Sequence, residues 1–245
     1  IEVLRNAFKK LTLNINGDFY VRFKDVVIGN YFIDLYGDGV GITKQQIQGI
    51  DKIPSYQFKD NKEVTSFDEF QYFTGLSVLS REAFYGCSNL SSIILPSSLT
   101  LIELQAFRGT NISNIFIPKG VKSMQQSTFE ECSNLKEVIF EEDSSLIELK
   151  FTQFRSCSSL IKIELPDTIE NMGDYLFKDC TSLKYCHYPI NSKVTAINNS
   201  CFENCSSLQE LPITDYITTL GSNTFRKCIS LSGHLDLSRI TSMGS

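Results

Sequence analysis

Apolar residues recur along most of this chain with a long, nearly constant spacing. Phe84, Phe107, Phe129, Phe154, Phe177, Phe202 and Phe225 lie 23, 22, 25, 23, 25 and 23 residues apart. Behind most of them the same order follows: Phe84, Cys87, Leu90, Ile93 and Leu95 in one unit, Phe154, Cys157, Leu160, Ile163 and Leu165 in another. From the leucine onward apolar and polar residues alternate, the mark of a short strand with one buried face. Pro96 or Pro166 then ends the strand, because proline has no N–H to offer a ladder. A repeat of this length with one strand per unit predicts a solenoid, whose coils stack their strands into a parallel sheet around a continuous interior.

The irregular units fall where a solenoid can absorb them. Thr110 takes a cysteine's place, and its unit is one residue short. Glu141-Glu142-Asp143-Ser144-Ser145 and the segment from Tyr188 to Lys193 lengthen two units, and both are expected to bulge at the turn after the strand. The last unit, around His234 to Leu237, is shifted by one residue, and the array stops at Met243, short of another phenylalanine. Upstream, residues 51–83 form a degenerate first coil or cap, with Val64, Phe67, Phe70, Phe73, Leu76 and Leu79 leading into Phe84.

Residues 1–50 do not share the repeat. Val3, Leu4, Ala7, Phe8 and Leu11 fall on one helical stripe, and Asn16-Gly17 marks a hairpin matching Leu13 and Ile15 with Phe19 and Val21. Thr43 with Gln46 makes a capping box and Ile42 with Ile47 a hydrophobic staple. The expected division is a cap of helix-loop-helix character over 1–50 and a solenoid over 51–245.

Composition narrows the function. A net charge of −5 leaves no basic surface for nucleic acid or anionic lipid. No apolar run is long enough to span a bilayer. No signal peptide opens the chain at Ile1, so it is expected to be a piece whose export signal or anchor lies outside it. Four Asn-x-Ser sequons, at Asn89, Asn111, Asn198 and Asn204, would matter only in a eukaryotic source.

The eight cysteines invite disulfide or metal chemistry. Six of them share one place in the repeat, which predicts a buried ladder of thiols with no natural pairing. Cys186 and Cys201 take core positions of their own. Zinc needs four converging ligands, and only His187 and His234 join the cysteines. Cys186 and His187 are neighbours on a strand and so face opposite ways. No nucleophile elbow, P-loop or dinucleotide fingerprint is present, so neither an enzyme nor a cofactor is expected. The stretch Asp34-Leu35-Tyr36-Gly37-Asp38-Gly39 comes nearest to a metal loop. Asp34, Asp38 and Gly39 fit a calcium loop, but Tyr36 spoils one ligand position and Gln45 stands where a glutamate is needed.

Strand geometry supplies the candidate ligand face. Ile94, Phe116 and Ile139 project outward on successive rungs as an apolar stripe. Lys162, Glu164, Tyr185, His187, Glu210, His234 and Asp236 continue the same face with charge and aromatic rings. An exposed apolar patch rimmed by polar groups marks a contact surface.

The blocks AFYGCSNLSSIILPSSLTLI from Ala83 and LFKDCTSLKYC from Leu176, with their repeats and the lead-in from Asn61 to Leu76, resemble the BspA-like leucine-rich repeat family over about residues 50–245. The resemblance implies an α/β leucine-rich-repeat solenoid on a cell surface or in the secreted fraction. Such proteins occur in anaerobic gut and oral bacteria and in parasitic protists, and adhesion and protein binding are the roles attached to them. It also implies a protein or glycan ligand, host extracellular matrix included, with self-association open. Members similar to this often carry a better-formed calcium loop where Asp34 stands. The rival readings are a structural spacer for another domain and a calcium-dependent adhesin using the Asp34 loop.

Overall fold

The computed structural model describes residues 19–189, 192–210, 215–232 and 237–244. The helical stripe on 3–11, the Asn16-Gly17 turn, His234 and Asp236 lie outside the described residues.

The strands are short and occur twice per coil. In chain order the first are β1 (Ser66–Phe67), β2 (Val78–Leu79), β3 (Ser92–Ile93), β4 (Leu101–Ile102), β5 (Asn114–Ile117), β6 (Ser123–Met124), β7 (Glu137–Phe140) and β8 (Glu148–Leu149). Then come β9 (Lys162–Glu164), β10 (Asn171–Met172), β11 (Tyr185–His187), β12 (Ala196–Ile197), β13 (Thr219–Leu220) and β14 (Ser242–Met243). All pairing is parallel. The strands foreseen from alternation pair as β5–β7 and β9–β11, and β3 pairs with β1, a strand that the spacing around Phe67 did not announce. A second ladder, which the sequence pattern did not announce, runs β2–β4–β6, β8–β10 and β12–β13–β14. Its strands are two residues long, too short for alternation to register.

Both ladders are interrupted in the long coil that follows Phe129, between β7 and β9 and between β6 and β8. That coil carries the extra residues around Glu141 to Ser145, which do bulge at the turn after β7. Residues 51–83 form a true coil: β1 and β2 pair with the coil beyond, and Val64, Phe67, Phe70, Phe73, Leu76 and Leu79 are all fully buried.

One edge of every coil is held by phenylalanine. Phe84, Phe107, Phe129, Phe154, Phe177, Phe202 and Phe225 stack face to face, with centroids 5.4–5.7 Å apart. Phe58 extends the column at its start, 5.4 Å from Phe84. Two residues before and two after each ring the backbone crosses into positive φ. Around Phe154 this happens at Thr152 (52°) and Ser156 (62°), and around Phe84 at Glu82 (52°) and Gly86 (67°). Outside Gly86 and Gly109 these sites hold residues for which that region costs about 1–2 kcal/mol. Phenylalanine burial of about 1.5–3 kcal/mol per ring offsets it.

The cysteines explain themselves at the same edge. Each thiol at the repeat's cysteine position donates to the phenylalanine carbonyl one coil back: Cys87 to Phe58, Cys157 to Phe129, Cys180 to Phe154, Cys205 to Phe177 and Cys228 to Phe202, at 2.8–3.1 Å. Thr110 donates to the Phe107 carbonyl of its own coil at 2.9 Å, and Cys132 reaches the same oxygen at 3.0 Å. None of the eight cysteines is in a disulfide. Burial pushes the Cys87 thiol up to about 12, and Cys132 and Cys228 to about 11.

At the start of the array two helices close the core, α1 (Val26–Tyr36) and α2 (Lys44–Gln48). Gly29 lies in α1 where Phe23 packs, since a Cβ there would stand 2.9 Å from the Phe23 Cβ. Tyr31 meets Phe58 edge-on at 5.2 Å, and Phe32 meets Phe73 at 4.8 Å, so the helix covers the open end of the phenylalanine column. Asp25 fastens it. Its Oδ1 accepts the Val27 and Ile28 N–H groups as the N-cap, and its Oδ2 accepts the Thr65 N–H and hydroxyl at 2.6 and 2.8 Å.

Candidate binding face

Along β5 the alternation is complete: Ile115 and Ile117 are buried while Asn114 and Phe116 face outward. Phe116 is 47% exposed, Ile139 43% and Ile94 44%. Phe116 and Ile139 are direct partners across the β5–β7 ladder, which brings the two side chains to the same face at neighbouring-strand distance. Ile94 follows β3, and no ladder joins β3 to β5 among the described residues. It therefore stands beside the Phe116–Ile139 pair without being tied to it, and the stripe is a firm pair with one outlier.

The rungs beyond are polar. Lys162 and Glu164 are both exposed and form an ion pair with each other at 3.3 Å. Tyr185 is half-buried and its hydroxyl donates to the Gln209 Oε1 at 2.7 Å. The His187 ring lies 5.9 Å from the Tyr185 ring and is exposed, while Cys186 between them is buried, as opposite strand faces require. Glu210 is exposed.

Between β7 and β9 the face opens into a groove of about 260 Å³, lined by Glu137, Val138, Ile139, Phe140, Lys162 and Glu164. Sequence reasoning named Ile139, Lys162 and Glu164 as face residues but did not foresee a groove among them. The signal available was the long spacing after Phe129 together with the insertion behind Phe140.

Elsewhere several charges hold coils together. On the phenylalanine edge Glu82 pairs with Lys59 at 2.6 Å, Glu130 with Arg155 at 3.3 Å, and Glu203 with Lys178 at 2.9 Å and Arg226 at 3.2 Å. The Lys178 ammonium holds the Glu203 carboxyl below its usual range.

The Asp34 loop is closed by its own hydrogen bonds. Asp34 sits exposed in the last turn of α1. The Asp38 Oδ1 accepts the Val40 and Gly41 N–H groups at 2.9 Å, and its Oδ2 accepts the Tyr20 hydroxyl. That hydroxyl and the Gly41 N–H hold the Asp38 carboxyl below its ordinary value. Thr43 caps α2 in the expected box with Gln46, and Gln46 also sends its Nε2 to the Tyr36 carbonyl at 3.1 Å. Tyr20, set against Thr43 by a single antiparallel bridge, was not singled out from sequence.

The family model for BspA type leucine rich repeat regions matches residues 51–151 and 143–245. The crystal structure of a T. pallidum leucine-rich repeat protein is similar over 64% of this chain and 72% of its own, at 30% identity and a TM-score of 0.60. The pneumococcal vaccine antigen PcpA aligns over 70% of this chain and 56% of its own, at 19% identity and a TM-score of 0.53. A leucine-rich cell surface protein of Faecalibacterium prausnitzii A2-165 aligns over 80% of this chain and 69% of its own, at 19% identity and a TM-score of 0.44. No curated protein matches the chain.

Proposed function

Because the chain belongs to the BspA-type leucine-rich repeat family, we propose that it is an extracellular binding scaffold. Its ligand is a protein or a glycan, taken on the outward face of β5, β7, β9 and β11. The observation that carries this reading is Phe116, an aromatic ring 47% exposed on a regular strand with Ile139 beside it. Large apolar side chains set together on a rigid surface are the usual anchors of recognition, and aromatic ones dominate its energy. A vaccine antigen among the structural relatives accords with a location outside the cell.

The test is a screen of the whole chain against host extracellular proteins and glycans, run in parallel with Phe116→Asp. The expected result is a partner whose affinity falls at least about tenfold in the variant, while both proteins melt together. A partner held equally by the two would place recognition elsewhere.

A further inference from the structure

We propose that the groove between β7 and β9 receives a lysine or arginine side chain of the partner. This rests on the binding-face reading and gives it a chemistry. The groove lies where no ladder joins β7 to β9 among the described residues. Its lining combines Val138, Ile139 and the half-buried Phe140 with the carboxylates of Glu137 and Glu164. That combination suits a side chain with a long apolar stem and a cationic head, which buries the one and presents the other.

Lys162 is the only cation lining the groove, against two carboxylates. It is paired with Glu164 alone, through an exposed contact at 3.3 Å. Exposed pairs of that kind are worth about 0.2–1 kcal/mol, so an incoming cation can take Glu164 over at little cost. Glu137 makes no ion pair among the described residues and is half-exposed on β7. An arginine can reach one carboxylate with two parallel hydrogen bonds. The residue beside it in the partner would then lie over Phe116, one strand away. The chain's overall charge of −5 favours the approach of a basic segment.

The probes are three acetylated tripeptide amides with leucine at both ends and arginine, norleucine or glutamate in the centre. They are titrated against protein labelled at isoleucine methyls. The arginine peptide is expected to shift the Ile139 signal saturably and to bind roughly fivefold tighter than the norleucine peptide, in proportion to one exposed charge contact. The glutamate peptide is expected to bind more weakly than either. In the double variant Glu137→Gln/Glu164→Gln the advantage of arginine should vanish while the norleucine titration is unchanged, and added salt should mimic that loss. Equal affinity for the arginine and norleucine peptides, or no movement of Ile139, would overturn the assignment. A screened partner that depends on Phe116 yet ignores the double variant would leave the binding face standing and remove only the basic side chain.

Discussion

The two long edges of this solenoid obey different rules. On the phenylalanine edge each coil repeats the last almost atom for atom: ring on ring, thiol on carbonyl, positive φ before and after. On the outward strand face the equivalent positions read isoleucine, phenylalanine, isoleucine, glutamate and histidine from Ile94 to His187. Repetition marks the edge where burial decides the residue, and variation marks the edge where burial does not. Stability should therefore respond to changes on the first and recognition to changes on the second.

The sharpest way to break that contrast is to remove a ring from the column. Phe177 is fully buried and stacks on Phe154 at 5.6 Å and on Phe202 at 5.4 Å. Phe177→Ala should cost about 3–5 kcal/mol in urea-induced unfolding. A cost no larger than that of Phe116→Asp would erase the distinction between the edges.

Next in size is the clamp at the cap. Asp25→Ala removes an N-cap and strands the Thr65 N–H, together worth roughly 2–4 kcal/mol. Burial alone would raise the Asp25 carboxyl, but the donors from Thr65, Ile28 and Ser66 outweigh it and the value is lowered on folding. A depressed carboxylate contributes stability that is present above its unfolded value and is lost as pH falls through its folded one. The wild-type protein should accordingly lose stability on acidification more steeply than Asp25→Asn, a difference that pH-dependent denaturation would register.

Within the repeating edge one buried polar residue stands without a partner among the described residues. Gln153 precedes Phe154 at a position held by Leu176 in the following coil, is fully buried, and has neither amide atom hydrogen-bonded. Gln153→Leu should raise stability by about 1–2 kcal/mol, since an unsatisfied buried amide costs that much or more. A destabilised variant would mean that Gln153 has a partner in solution. The smallest effect is expected at Ser156, whose φ of 62° favours glycine. Ser156→Gly should gain about 0.5 kcal/mol, the difference between relieved backbone strain and greater unfolded entropy, and melting curves would detect it as a slight upward shift.

How much of this was legible in the sequence follows from the same contrast. The phenylalanine column and strands β3, β5, β7, β9 and β11 could be read because burial imposes one residue type at one spacing. Phe58 escaped because it lies ahead of the regular units, with Asn61 and Val64 in place of the cysteine and leucine that follow most of the other rings. The second ladder is made of residue pairs such as Leu101 and Ile102, where no period can show. Helix α1 opens Val26-Val27-Ile28-Gly29, residues of poor helix propensity, and owes its form to Asp25 and to Phe32 on the core. Phe116 and Ile139 were named correctly as outward, because strand alternation fixes direction. The groove beside them was not foreseen, because it arises from an interruption between strands and not from any residue in them.

The division between a repeated holding edge and a varied recognising face is tested most directly by hydrogen exchange on the complex with a screened partner. Slowed exchange confined to Ser92–Ile93, Asn114–Ile117, Glu137–Phe140 and Lys162–Glu164, with the turns around Phe107 and Phe154 unchanged, is the predicted result. Protection concentrated on those phenylalanine turns, or on α1 and α2, would contradict it.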